Sequence, residues 1–406
     1  LIGAEYLQRR RAEMIGRVRE NQKLLSLYHS GNAELVAIYG RRRVGKTYLV
    51  NETFRGKITF HHAGLSPVES RNVGGESPLR KQLRHFYNSL LLHGMKKSRC
   101  PDNWQDAFLM LEMFLAGIDD GGRQLVFLDE LPWMDTQKSG FMTAFEGFWN
   151  TWGSARNNLM VVLCGSATSW IIDRLINDHG GLYNRVTYEI KLSPFTLKEC
   201  ESLYKEKKIK MSRYDITQAY MITGGIPYYL NYFERGLNLA QNVDQMFFST
   251  NAPLRNEFDS LFASVFSNPE MMKAIVLCLS QKNSGYTRAE ISRLTGYSMG
   301  GTLSEALKAL AASDFIIKYI PFGMGKRDEH YRLTDPFCLF YLKFVREQDI
   351  LTSSFWSQNV SSQQVVSWRG IAFENVCFCH IDQIKAALGI SGVATKQSAW
   401  SKRADE

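Results

Sequence analysis

Apolar residues in the first half of the chain fall in short unbroken runs rich in β-branched side chains, the pattern of strands buried on both faces of a parallel sheet. Such runs occupy residues 35–39, just after Glu34, residues 125–128, just before Asp129 and Glu130, and residues 159–164, just before Gly165 and Ser166. Residues 57–62 and the alternating stretch 186–192 bring the predicted strands to five. Between residues 128 and 159, Phe141, Met142, Phe145, Phe148, Trp149 and Trp152 recur at helical spacing, which predicts a helix with an aromatic core face. Strands separated by helices predict an α/β, doubly wound parallel sheet that takes its ligand at the C-terminal ends of the strands.

Beyond residue 265 the pattern changes. Helical periods over 268–280, 287–294 and 298–313 come first, the last with Leu303, Ala306, Leu307 and Leu310 on one face. Strand-like stretches at 315–321 and 331–333 then flank Gly323-Met324-Gly325-Lys326-Arg327, so a hairpin with a basic, glycine-rich tip is expected. Three helices followed by such a hairpin are the plan of a winged helix.

Length adds that 406 residues exceed one ordinary core, so two or three domains are expected. Hydrophobic residues at 45% and charged residues at 22% exclude a disordered chain. Apolar runs such as 159–164 fall short of the roughly 20 residues of a membrane span, so no membrane association is expected. Arg9, Arg10 and Arg11 are not followed by an apolar stretch, which excludes a secretory signal there and points to the cytoplasm. Seven cysteines without framework spacing suit a reducing compartment, and Cys377, Cys379 and His380 read as core residues because no second ligand pair accompanies them. A net charge of +9 permits an acidic partner, nucleic acid included, without naming one.

The first apolar run leads into Gly40-Arg41-Arg42-Arg43-Val44-Gly45-Lys46-Thr47, which fits G-x-x-x-x-G-K-[ST], and Tyr48-Leu49-Val50 continues as a helix. With glycine at about 7% of residues, a chance match in a chain this long is about one in a hundred. Gly40 and Gly45 let the loop backbone, through Arg43, Val44 and Tyr48, bring N–H groups to phosphate oxygens at a helix N-terminus. Lys46 is placed for the β and γ phosphates of ATP and Thr47 for Mg²⁺. Opposite the loop, Asp129 is the second candidate Mg²⁺ residue, and Glu130 is the candidate that polarises a water for in-line attack. Ser166 lies where a hydroxyl can sense the γ phosphate or orient water, or only satisfy a turn.

Together these segments resemble the prokaryotic AAA-type ATPases allied to the archaeal ATPase and STAND branches of the P-loop proteins. The resemblance rests on Met14-Ile15-Gly16-Arg17 with Glu20, the loop from Tyr39 to Thr47, Leu128-Asp129-Glu130-Leu131-Pro132-Trp133, and Cys164-Gly165-Ser166-Ala167. It continues through Gly181-Leu182-Tyr183-Asn184-Arg185 and Gly224-Gly225-Ile226-Pro227-Tyr228-Tyr229, and so covers most of the chain. It implies an ATPase core over 1–195, a helical lid over 196–265, a winged helix over 266–350 and a C-terminal segment over 351–406. It implies, too, that Gly16 and Arg17 lie beside the adenine and that Gly225 and Pro227 approach the base from the lid. Arg185 matches a family arginine that touches the γ phosphate, in cis or on a neighbouring copy in a homo-oligomer; a surface role capping a strand is the alternative. The stretch from Trp368 to Val376 looks like the start of a nuclease-like domain, with Glu374 as its first acid. Nuclease activity is not expected, because the later aspartate and Glu-x-Lys segment do not follow.

The expected activity is Mg²⁺-dependent ATP hydrolysis that switches the winged helix, with ATP and ADP as partners. A DNA-associated ATPase or loader, and a nucleotide sensor with negligible hydrolysis, are the alternatives. A kinase shares the loop, but Glu130 beside Asp129 favours activating water. For DNA, the third helix opens Met299-Gly300-Gly301-Thr302 and offers Glu305 and Lys308, a poor set for reading bases. Contact would therefore run through the wing and phosphates, with a purely interdomain role as the alternative.

Overall fold

A computed structural model describes residues 14–67, 69–70, 75–177, 181–182, 184–325, 328–347 and 353–395. After α1 (Val18–Tyr28) come β1 (Glu34–Tyr39), α2 (Lys46–Thr53), β2 (Phe60–Ala63), α3 (Pro78–Leu92), α4 (Trp104–Gly117), β3 (Gln124–Asp129), α5 (Leu131–Met134), α6 (Phe141–Gly147), β4 (Leu159–Gly165), α7 (Thr168–Ile171) and β5 (Tyr188–Lys191). The five strands are parallel, in the order β2-β3-β4-β1-β5. The two edge strands are shorter than their apolar runs predict. Each pairs on one side only, and outside the ladder Thr59 and Thr187 still bond to Leu125 and Leu35.

Burial on both faces explains the unbroken runs. Val36 and Ile38 of β1 pack with Leu24, Leu49 and Val50 of α1 and α2, whereas Leu35 and Ala37 pack with Phe86, Phe108 and Phe145 of α3, α4 and α6. The aromatic helix is core as expected: Phe141, Phe145, Phe148 and Trp149 are buried, with Trp104 4.9 Å from Phe141. It widens into a π-type turn over Phe148–Trp152. β4 follows β3 in sequence yet lies between β1 and β3, which sets Ser166 between the phosphate loop and Glu130.

A helical stretch follows: α8 (Leu197–Glu206), α9 (Arg213–Thr223), α10 (Pro227–Leu230), α11 (Leu239–Val243) and α12 (Glu257–Val265). Thr196 with Glu199 and Ser212 with Asp215 form capping boxes that start α8 and α9. Then come α13 (Pro269–Ser280), β6 (Tyr286–Thr287), α14 (Arg288–Thr295), α15 (Gly301–Ala312), β7 (Ile316–Tyr319) and β8 (His330–Leu333), whose strands form an antiparallel sheet in the order β6-β8-β7. Lys326 and Arg327, the expected basic tip, lie outside the described residues. α15 is turned toward the sheet domain: Lys308 pairs with Asp173 at 2.8 Å, and Thr302, Glu305 and Ala306 line a cleft of about 720 Å³ with Pro132, Trp133 and Trp170.

The chain ends in α16 (Pro336–Phe340), α17 (Phe355–Asn359), α18 (Gln363–Cys379) and α19 (Ile381–Ala387). α16 and α18 both pack on α9, so the chain returns to the earlier helices directly after β8. One apolar cluster runs from Leu24 through Tyr229, Phe262, Leu307 and Phe337 to Val376, joining one face of the sheet to everything C-terminal of it. Glu374, expected as the first acid of a nuclease-like domain, pairs at 3.0 Å with Arg332, a buried guanidinium that also donates to Asn283 and Asn375 at 2.9 Å each. His380 is buried and accepts from the Leu197 amide at 2.9 Å, while Cys377 is half-buried and Cys379 exposed, so the core reading holds for the histidine alone. Among the described residues no three His, Cys, Asp or Glu side chains gather as for a metal, and no helix is long and apolar enough to cross a membrane.

Candidate functional site

The site is built at the C-terminal ends of β1, β3 and β4. Gly40 leaves β1 at φ 141°, where a Cβ would stand 2.3 Å from the Leu192 carbonyl, so β5 approaches the loop as only glycine permits. Gly45 turns the chain into α2 at φ 93°, and no side chain caps that helix, which leaves its first N–H groups to an anion. Arg43 and Glu130 also hold positive φ, at 72° and 47°. Such strain in residues other than glycine gathers where a site is over-determined by its surroundings.

Charge and hydrogen bonds converge on this point. Lys46 is buried, and its ammonium donates to the carbonyls of Gly40 at 2.9 Å and Arg41 at 3.1 Å. The Thr47 hydroxyl donates to Asp129 Oδ2 at 2.7 Å. These two adjacent hard oxygens fit Mg²⁺, which is usually held by one or two protein oxygens together with phosphates and water. Glu130 Oε2 accepts from the amide of Ser166 at 3.0 Å and from its hydroxyl at 2.8 Å. Ser166 therefore orients the candidate base through Oε2.

A cleft of about 570 Å³ opens from the loop. Arg43, Val44, Gly45, Lys46, Thr47, Tyr48 and Glu130 line its phosphate end. Its far end is apolar, from Met14, Ile15, Phe195, Leu203 and Pro227, with Glu206, Lys207 and Asn231 at the rim. The dimensions suit a nucleotide with its base among the apolar side chains. Arg17 and Pro227 line the cleft; Gly16 and Gly225 do not. Arg17 also acts as a tie: its guanidinium donates to the carbonyls of Val44 at 3.1 Å and Ser193 at 2.7 Å and lies 4.8 Å from the Phe195 ring. Burial lowers its pKa, with Glu199 and Glu20 opposing. Gly225 accepts from the Phe195 amide at 2.8 Å and so fixes the ring that lines the cleft. Arg185 is exposed ahead of β5 and is not among the lining residues. Phe195, Leu203, Glu206, Lys207 and Asn231 were not foreseen. The signal for Phe195 was its place directly after the last strand.

Two of the loop arginines, Arg41 and Arg43, reach the C-terminal half. Arg41 forms a buried ion pair with Asp335 and stacks 4.7 Å from Phe315. Asp335 also caps α16 by accepting from the Cys338 amide at 2.7 Å. Arg42 lies 5.6 Å from the Trp133 ring, and Arg43 pairs with Glu257 at 2.7 Å over the ring of Tyr228. Asp335→Ala strands a buried guanidinium and uncaps a helix, so a loss of about 3–5 kcal/mol of stability is expected in denaturant unfolding.

A parallel sheet with this strand order, a phosphate loop after its first strand and paired acids at the end of β3, one strand removed across β4, define a P-loop ATPase fold. The chain belongs to the family of ATPase domains found predominantly in Archaea, whose model matches residues 14–233. An uncharacterised protein of Methanocaldococcus jannaschii is 24% identical over 335 residues, covering 82% of this chain and 68% of that one. The Walker-type ATPase of Pyrococcus abyssi superposes with a TM-score of 0.53 at 17% identity, covering 81% of this chain and 96% of that one, and so shares the fold. The Aeropyrum pernix ORC2 protein is similar at a TM-score of 0.47 and 13% identity, over 93% and 96% of the two chains.

Proposed function

We propose that this chain binds ATP with Mg²⁺ in the 570 Å³ cleft, hydrolyses it, and uses the nucleotide state to reposition its C-terminal half. The observation that carries the reading is the convergence of Lys46, the Thr47–Asp129 pair and the oriented Glu130 at the uncapped start of α2. The loop amides and Lys46 hold the phosphates, and the apolar far end takes the base. Thr47 and Asp129 would hold Mg²⁺, which would supply positive charge against the phosphates. Glu130 accepts a proton from the attacking water through Oε1 while Ser166 keeps the carboxylate aimed.

In this reading residues 1–195 are the ATPase core, 196–265 the lid, 266–350 a winged helix and 351–406 a C-terminal segment that braces the lid. Arg185 does not line this cleft, so its proposed contact with a phosphate comes from a neighbouring copy in a homo-oligomer. DNA binding by α15 is the weaker alternative, because Lys308 is paired to Asp173 and the helix lines a cleft with the core. The test is phosphate release by the purified protein. Turnover that requires Mg²⁺ and saturates with ATP supports the reading; ATP binding without release would make the protein a nucleotide sensor, and no binding at all would end it.

A further inference from the structure

Three consecutive loop arginines reach three different elements, and their burial separates their roles. Arg41 and Asp335 have side chains only 2% and 1% exposed, so that pair is a fixed anchor that no ligand in the cleft can meet. Arg43 is different. Its side chain is 20% exposed and lines the cleft, its guanidinium lies 3.9 Å from the Tyr228 ring centroid, and its Nη2 stands 2.7 Å from Glu257 Oε2. Glu257 opens α12, and its other oxygen accepts from the Tyr229 hydroxyl at 2.9 Å. Phosphate loop, α10 and α12 therefore meet at one guanidinium, in the cleft that Lys46 also lines.

We propose that Arg43 is a latch for which Glu257 and the phosphates of ATP compete: paired with Glu257 it holds α12 against the phosphate loop, and a nucleotide that takes the guanidinium lets α12 go. The inference rests on the nucleotide reading above. Both competitors are anionic oxygens, so the exchange trades one charge-assisted bond for another, and the Tyr228 face can stay under the guanidinium throughout. Glu257 keeps the Tyr229 hydroxyl after release; burial raises its pKa against the pull of Arg43, so losing that partner disfavours its charged form further. The consequence is carried outward by packing. Phe258 stacks on Tyr341 at 5.1 Å and Phe262 meets Phe315 at 5.1 Å, so α12 bears on both the α15–β7 corner and the segment after α16. By linkage, the factor by which the latch weakens nucleotide binding is the factor by which nucleotide weakens the latch.

Glu257→Gln keeps the shape and the acceptor for Tyr229 but removes the competing charge. Calorimetry with a non-hydrolysable ATP analogue and Mg²⁺ is expected to show about tenfold tighter binding than wild type. The gain should vanish when Glu257→Gln is made in an Arg43→Ala background, as a double-mutant cycle requires. Hydrogen exchange over 257–265 should speed up in the wild type when the analogue binds, and should be fast in Glu257→Gln with or without it. Equal or weaker binding by a Glu257→Gln protein that unfolds at the wild-type temperature overturns the latch. If that variant folds poorly, exchange in the wild type decides alone, and no change on adding the analogue overturns it. A wild type that binds no analogue fails the nucleotide reading itself and takes the latch with it.

Discussion

Lys46→Ala is expected to lower ATP affinity by about a hundredfold or more, since hydrogen bonds to a charged group contribute about 1.5–3 kcal/mol each and this ammonium is placed to make two. The side chain is buried and runs along the inside of the loop to the carbonyls of Gly40 and Arg41, so its charge sits where the phosphates would lie. Alanine keeps the helix start and fills no space the loop needs, and circular dichroism should match the wild type. Calorimetric titration with ATP and Mg²⁺ measures the loss. An affinity within about threefold of wild type would mean that the cleft does not hold the phosphates, and every role assigned around it would go with that result.

The parts of this site that could be read from the chain are those that one local segment specifies. The loop from Gly40 to Thr47 carries its own glycines, cation and hydroxyl, and Asp129 and Glu130 announce themselves by ending an apolar run. Hydrophobic pattern likewise marked β1, β3 and β4, because a strand buried on both faces has no polar positions to hide it, and β5 through its alternation. What could not be read depends on how distant elements meet. Glu257 and Asp335 are ordinary acids in sequence, and nothing local pairs Asp335 with an arginine 294 positions away. Phe195, Leu203 and Lys207 line the cleft only because the chain after β5 turns along it.

Orientation was the other limit. The pattern of α13 to β8 is visible in the helical and strand periods, but the face that α15 presents is decided by Lys308 meeting Asp173 and by the wall that Trp133 and Trp170 offer it. Arg17 shows the same limit on a smaller scale. It lines the cleft, yet its guanidinium is spent on two carbonyls that join the loop to the exit of β5. Charge alone thus did not tell a cleft-lining side chain from an internal tie, and in this loop Arg43 and Arg41 stand two residues apart.

Glu130→Gln is expected to cut the rate of hydrolysis by about 10²–10⁴-fold while ATP binding stays within about threefold of wild type, the range for removing a general base. The geometry makes the substitution a clean one. Oε2 of Glu130 is fully engaged by the amide and hydroxyl of Ser166, and a glutamine can keep both bonds through its carbonyl oxygen. The amide nitrogen then takes the place of Oε1, where it can donate to a water but cannot accept its proton. The backbone at Glu130 holds φ 47°, a conformation that a glutamine adopts no more easily than a glutamate, so the strain is the same in both proteins. Loss of turnover therefore reports on the proton and not on the fold. Phosphate release and analogue binding measured on one preparation separate the outcomes: wild-type turnover would place the base elsewhere, and a parallel loss of binding would make Glu130 a ground-state contact.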